Sequence, residues 1–230
     1  RLKGDALDRL LDFWRRQLDG APQTLDLPRD WPDVAHPSPA GDVHRFLLPA
    51  ALGDAVRDLA RVEQATPFMT LFAGLAALLF RCSGQDDLLI GVPMSGRDRP
   101  ETLPMVGLFA NIVLVRVRPR ADLTFRALLS QVRASVLASL AHQEVPFHRL
   151  AEALRPTRAV GRKSLVQVIH LHQAFPRLDS APGLDMEFWE VHPGFSRFEL
   201  GLRTEAEGDG FACQFEYSTD LYRRETVAGL

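Results

Sequence analysis

Lysine is nearly missing from this 230-residue chain: Lys3 and Lys163 are the only two, and every other cationic side chain is arginine. The arginines are scattered among acids and the net charge is −2, so no global basic field draws the molecule toward nucleic acid or an anionic membrane. Cysteine is equally scarce. Cys82 and Cys213 stand far apart, with no CxxC and no Cys/His cluster, which fits two inert thiols in a reducing cytoplasm, a disulfide between them being the alternative. No apolar run is long enough to cross a bilayer; the most apolar stretch, 68–80, reads as a buried helix. The amphipathic start carries charge throughout, unlike a signal peptide. Signatures of stand-alone catalysis are absent as well, among them GxxxxGKS, GxGxxG, GxSxG and HExxH.

What is present is apolar. At 46% hydrophobic residues the chain has material for one large core or two small ones, which excludes disorder as a description of the whole. Leu7, Leu10, Leu11, Trp14 and Leu18 recur at helical spacing until Gly20-Ala21-Pro22 ends the pattern. Five prolines between Pro22 and Pro39 then predict an extended connector laid over other structure, so the chain divides into a helix (1–20), a connector (21–41) and a lobe (42–230). Within the lobe, 43–48 alternates as a strand, and 50–64 places Leu52, Val56, Leu59 and Ala60 on one helical face. Thr66 is an N-cap with Pro67 at the first helical position, opening a helix apolar on nearly all sides. Residues 88–93 and 108–117 read as strands around a polar loop, 95–104. The clearest helical stripe is Phe125, Leu128, Leu129, Val132, Val136, Leu137 and Leu140; a short helix follows over 147–154. Strands are predicted at 165–172, 184–191, 198–204 and 211–217, with a final helical turn in 221–230. Long helices alternating with strands, then a run of strands, give an α/β layered fold on a mixed sheet.

A few residues stand out from this background. His142 could act as a base oriented by Glu144, or it could close a helix, where a cation favours the negative end of the dipole by about 0.3–1 kcal/mol. Pro146 favours the second reading. His170 and His172 share a strand face, as a metal pair does, but no third ligand is evident nearby. Asn111 sits in an apolar strand-like run, where an unpartnered buried amide costs about 1–3 kcal/mol, so it either bonds to a neighbouring loop or lines a passage. Arg97 and Arg99 could hold an anion such as a phosphate arm, or pair with Asp98 and Glu101. Ser196 and Glu199 lie three apart at a loop-to-strand entry and could face a cleft or simply start a strand.

Several stretches, in order, carry a resemblance. FWRRQLDGAP with LDLPRDWP is similar to a YWxxQLxGAP helix end and an LxLPxDxP connector; TPFMTL and RCSGQDDLLIGVPMSGR follow. Then come GLFAN at 107–111 with Arg116 downstream, HQEVPF at 142–147, and FACQFEYSTDLY at 211–222. Together they resemble the C-terminal half of a nonribosomal peptide synthetase condensation domain over nearly the whole chain. There are departures: Ser164 stands where the family has a proline, Glu199 replaces an aspartate and Ala110 a common valine, changes that bear on substrate preference and not on fold.

The resemblance implies one chloramphenicol-acetyltransferase-like lobe of a V-shaped pair. The family's HHxxxDG signature belongs to the N-terminal lobe; nothing like it occurs in this sequence, so no catalytic residue is expected here and His142 is no substitute. The implied reaction joins a carrier-bound aminoacyl, peptidyl or acyl thioester to an acceptor amine, with phosphopantetheine arms supplied by partner carrier proteins. Arg97, Asn111 and Ser196 are the candidates for lining the substrate tunnel, and parts of 93–111 and 196–220 would approach the other lobe. The implied partners are the N-terminal lobe, the carrier proteins and an adjacent adenylation domain, in the cytoplasm. A non-catalytic docking module for a carrier or tailoring enzyme, or an epimerisation or acyltransferase lobe, is the alternative.

Overall fold

In the computed structural model, which describes residues 4–22, 24–31, 38–97, 99–154, 165–173 and 191–230, the elements run α1 (Asp5–Leu18), β1 (Gly41–Leu48), α2 (Ala50–Val62), α3 (Pro67–Ser83), β2 (Leu88–Met94), β3 (Asn111–Val117), α4 (Phe125–Leu140), α5 (Phe147–Leu154), β4 (Val168–His172), β5 (Leu200–Glu207), β6 (Gly210–Ser218) and α6 (Arg224–Ala228). The predicted strand at 184–191 lies outside the described residues except for its last position. The chain divides into two units, Arg1–Pro28 with Val56–His170, and Arg29–Ala55 with Leu171–Leu230.

In the first unit β2 pairs antiparallel with β3, from Leu88↔Val117 to Met94↔Asn111, and parallel with the start of β4 at Ile90↔Val168. The sheet is therefore mixed, as expected. The Thr66 hydroxyl accepts from the Met69 N–H at 3.2 Å, Pro67 needs no donor, and Gly84 at φ +70° closes α3 by donating to the Phe80 carbonyl. Between these caps Phe72, Ala73 and Ala76 have no exposed surface at all, so α3 is a core helix. Helix α4 packs on α3 and β3 through Leu128, Leu129, Val132 and Val136. A second cluster joins Trp14 and Leu18 of α1 to Leu89, Val113, Val145, Leu150 and Val166. Each such large side chain contributes roughly 1.5–3 kcal/mol by leaving water.

Some expected core positions are not covered. Leu52, Phe125 and Leu137 fall on the predicted stripes yet are 45%, 41% and 46% exposed. Periodicity fixes the side a residue faces, but the edge of a stripe can outrun the neighbouring element.

In the second unit β6 pairs antiparallel with both β1 (Gly41↔Ser218 to Leu48↔Phe211) and β5 (Leu200↔Tyr217 to Glu207↔Gly210). Phe211, Cys213, Phe215 and Tyr217 alternate inward along β6, with Phe46 stacked 5.5 Å from Phe215. The connector is held at several points. Within the first unit, Gln85 accepts from the Asp26 N–H and donates to the Thr24 carbonyl, beside buried Leu25 and Leu27. Within the second, Asp30 and Ser38 bond to residues 220–226. No single helix among the described residues is long and apolar enough to cross a membrane.

Candidate functional site

The first unit gathers three of the singled-out stretches along one edge. Strand β3 begins at Asn111 and not at Leu108, because the chain before it is shaped by Arg97. That guanidinium donates to the carbonyls of Thr102, Met105 (2.9 Å) and Gly107 (3.1 Å), and lies 4.5 Å over the Phe109 ring. Gly96, at φ +65°, lets the turn form where a Cβ would meet the Phe109 carbonyl oxygen at 2.1 Å. Arg97 therefore spends its donors inside its own loop. Arg99, exposed, reaches Glu144 at 3.6 Å, an ion pair of little energetic weight. Asp98 lies outside the described residues.

Asn111 uses both ends of its amide. Nδ2 donates to the carbonyls of Gln143 (3.0 Å) and Val145 (2.9 Å), and Oδ1 accepts from the Phe147 N–H (2.9 Å). One side chain thus fixes the turn between α4 and α5 to the start of β3. His142 is part of the same turn: its ring lies 3.5 Å from Phe13 at an interplanar angle of 2°, its Nδ1 donates to the Ala138 carbonyl at 2.8 Å, and its own carbonyl accepts from Trp14 Nε1 at 3.1 Å. Those contacts are what a helix end needs. Glu144, the proposed orienting acid, faces Arg99 instead.

Arg116 closes the far end of α1. Its guanidinium makes two bonds to Asp87 (2.8 and 2.6 Å) and donates to the carbonyls of Gln17 (3.0 Å) and Asp19 (2.7 Å), the orphan acceptors at a helix C-terminus. The Asp87 hydrogen bond raises the Arg116 pKa further above its ordinary value.

Ser196 belongs to the second unit. It is buried, its hydroxyl bonds to the Phe198 carbonyl (2.7 Å) and Glu216 (3.0 Å), and its N–H donates to Pro39. Gly41 permits this approach, since a Cβ there would lie 2.4 Å from the Ser196 nitrogen. The other oxygen of Glu216 lies 3.7 Å from His192 Nε2, so Ser196 faces an acid and not an imidazole. Nearby in the fold of this unit, Arg29 pairs with Glu199 at 2.6 Å with both side chains largely buried. Burial, and after it the Glu199 carboxylate, pushes the Tyr222 phenol up to about 12. Asp30 accepts from the Arg223 N–H (2.7 Å) and the Thr226 hydroxyl (2.8 Å), which lower its pKa. Sequence reading missed these anchors. The signal available was a pair of charges, Arg29-Asp30, inside a proline-rich connector with no helix of its own.

His170 and His172 are taken up singly. His170 is fully buried and stacks 5.1 Å from Phe68, while His172 bonds through Nδ1 to the Thr204 hydroxyl at 2.9 Å and is held below its ordinary pKa by burial. No group of three His, Cys, Asp or Glu side chains among the described residues is placed to hold a metal. Both cysteines are free, and burial raises the Cys213 thiol to about 11.

Comparison with known proteins gives these features a context. The sequence model of the family described as Condensation domain matches residues 1–230. The chain is 40% identical to Phosphinothricin tripeptide synthetase PhsB of Streptomyces viridochromogenes, over 96% of the chain and 19% of that protein. It is 35% identical to the Dimodular nonribosomal peptide synthase of Bacillus subtilis, over 96% of the chain and 10% of that protein. It therefore spans no more than about a fifth of these curated relatives. Among solved structures it is similar to the X-domain from teicoplanin biosynthesis (TM-score 0.87, 25% identity, 98% of this chain and 52% of that one) and to the complex of the X-domain and OxyB (0.85, 26%, 96% and 50%). A four-domain nonribosomal peptide synthetase bound to AMP and glycine shares the fold (TM-score 0.87, 24%, 99% and 18%).

Proposed function

The chain belongs to the condensation-domain family, and we propose that it forms the C-terminal half of such a domain and serves amide-bond formation between carrier-bound substrates. The observation that carries the proposal is the match along residues 1–230 to a family whose relatives at 35–40% identity are named as peptide synthetases. In the reaction, the acceptor amine attacks the donor thioester carbonyl. The C–N bond forms, the C–S bond breaks, and the phosphopantetheine thiol of the donor carrier leaves with the proton the nitrogen gives up. Holding the two arms in line replaces a bimolecular encounter, an effect able to supply roughly 7–11 kcal/mol of a barrier.

This chain's part is to wall the reaction space. Arg97, Asn111 and Ser196 serve it by shaping that wall, since the polar groups described above are engaged within the chain: three carbonyls on Arg97, two carbonyls and an N–H on Asn111, a carbonyl and a carboxylate on Ser196. The histidine that assists amide formation comes from the other half, because HHxxxDG is not in this sequence. Carrier proteins and an adenylation domain of the same synthetase are the working partners, and free thiols fit a cytoplasmic setting.

The test supplies donor- and acceptor-loaded carrier proteins to this chain alone and to the chain joined to its upstream half, and follows the amide product by mass spectrometry. Product is expected only from the joined domain. Turnover by the chain alone, or none by the joined domain, overturns the proposal. A docking role is the second reading, favoured by the likeness to an X-domain whose complex with OxyB is known. It predicts micromolar binding of a carrier or tailoring enzyme with no product from the joined domain.

A further inference from the structure

The face of the second unit's sheet that turns away from Phe211, Cys213 and Phe215 carries a trough. The strand register sets two rows of three there across β1, β6 and β5: Arg45, Gln214 and Arg203, then Leu47, Ala212 and Glu205. Ala212 is the short member at the centre, so longer side chains stand over it on both sides. The space between them is about 350 Å³ and runs on to Glu207 beside the β5–β6 turn. That is room for a small ligand.

The polar groups of the trough are not equally available. Arg203 donates to Glu205 at 3.2 Å with both side chains largely buried, which accounts for one charge of each sign. Among the described residues nothing pairs with the Arg45 guanidinium, the Gln214 amide or the Glu207 carboxylate. Arg45 and Gln214 are directly opposite in the register, so their N–H groups can converge on one oxyanion. Leu47, 67% exposed, is an apolar wall at the next level. Glu207 lies four residues beyond the Gln214 level, about 13 Å along the strands.

We infer that this trough binds a free peptide of about three residues, with its carboxylate on Arg45 and Gln214, an apolar side chain against Leu47 over Ala212, and its ammonium on Glu207. Length and charge select this class. An extended tripeptide spans roughly 10 Å, and the reach of Arg45 and Glu207 into the trough closes the remaining gap. A free amino acid, whose charges flank one carbon, is too short to touch both. A carrier-bound chain is a thioester and has no carboxylate to offer Arg45. The ligand is therefore not the tethered substrate of the reaction proposed above, and the inference does not rest on that function.

Titration of the chain with Gly-Leu-Gly, both termini free, followed by two-dimensional amide NMR, tests it. A dissociation constant below about 1 mM is expected, with free leucine binding at least about tenfold more weakly. The shifted amides should lie at 45–47 and 212–214. A212F, which fills the trough, should abolish binding. R45A and E207Q should each weaken it at least about fivefold and leave the melting temperature unchanged, because both side chains are exposed. Capping the peptide gives the sharper readout. Amidating its C-terminus should cost the parent about tenfold and R45A almost nothing, while acetylating its N-terminus should cost the parent about fivefold and E207Q almost nothing. Should A212F fail to fold, the two exposed variants and the capped peptides still decide the matter. No binding at about 10 mM peptide, shifts confined to other residues, or capping penalties that persist in R45A and E207Q would overturn the inference.

Discussion

Around Trp14 the first unit is dry, with Leu18, Leu89, Val113, Val145, Leu150 and Val166 closing over one aromatic ring and a single buried cation, Arg116, set at its margin. Around Arg29 the second unit is wet chemistry kept from water: Arg29 on Glu199, Tyr222 buried beside them, Asp30 on Arg223 and Thr226, and Ser196 on Glu216. Both arrangements hold a segment from before β1 onto structure that follows it in the chain. The first does so by area removed from water, the second by hydrogen bonds that depend on charge state. The difference teaches where each should fail: the first on loss of volume or of its one cation, the second on loss of a proton partner.

The largest expected effect is at Arg116. R116A leaves Asp87 and the carbonyls of Gln17 and Asp19 without their donor in a site only 5% exposed at the arginine, and should cost about 3–5 kcal/mol. The denaturation midpoint measures it; a loss under about 1 kcal/mol would show that α1 is held by its apolar face alone. Next comes N111A, which strands two carbonyls and one N–H and should cost about 2–3 kcal/mol. N111D should fare little better, since a carboxylate accepts from Phe147 but cannot donate to Gln143 or Val145. A smaller effect belongs to the cap of α3: T66A should lose about 1 kcal/mol in the same assay, and T66S should recover most of it.

These effects also mark how far the sequence could be read. Helix α3 was visible at its first residue, because Thr-Pro is a local signal and its partner, Met69, is three positions away. Helix α5 was legible to the residue and α4 to within two residues of its end, expected at His142 and found at Leu140, for the same reason: period and punctuation are local. Asn111 announced itself as a polar residue in an apolar run, but its partners lie 32–36 positions away, and nothing nearby says that they are two carbonyls and an N–H of the HQEVPF turn. Arg116 reaches residues 97–99 positions earlier, and Arg29 one 170 later. Contacts of that range are set by which strands pair, and pairing is a tertiary choice that alternation does not disclose. The loop before β3 differs: GLFANIVLV has the composition of a continuous strand, yet the Gly107 carbonyl is spent on Arg97 and pairing begins only at Asn111.

The smallest effects separate the two units by pH. His172 and Asp30, both in the second, are held below their ordinary pKa values, the first by burial, the second by hydrogen bonds from Arg223 and Thr226. In each case the unfolded chain binds the proton more readily than the folded one, so stability is complete above the unfolded value and declines as pH falls. For His172 the decline starts near pH 6.5, and for Asp30 near pH 3.8, the values of the unperturbed groups. H172F, which fills the same space without a titrating ring, should flatten stability between about pH 7 and 5, while D30N should flatten it only at more acid pH and lower it at neutrality. Hydrogen exchange followed by segment gives the discriminating readout. On acidification residues 199–222 should lose protection before the Trp14 cluster does, since His172 and Asp30 both belong to the second unit. Loss of both at one pH, with H172F without effect, would mean that the wet anchors contribute no separate acid sensitivity and that the two units unfold as one.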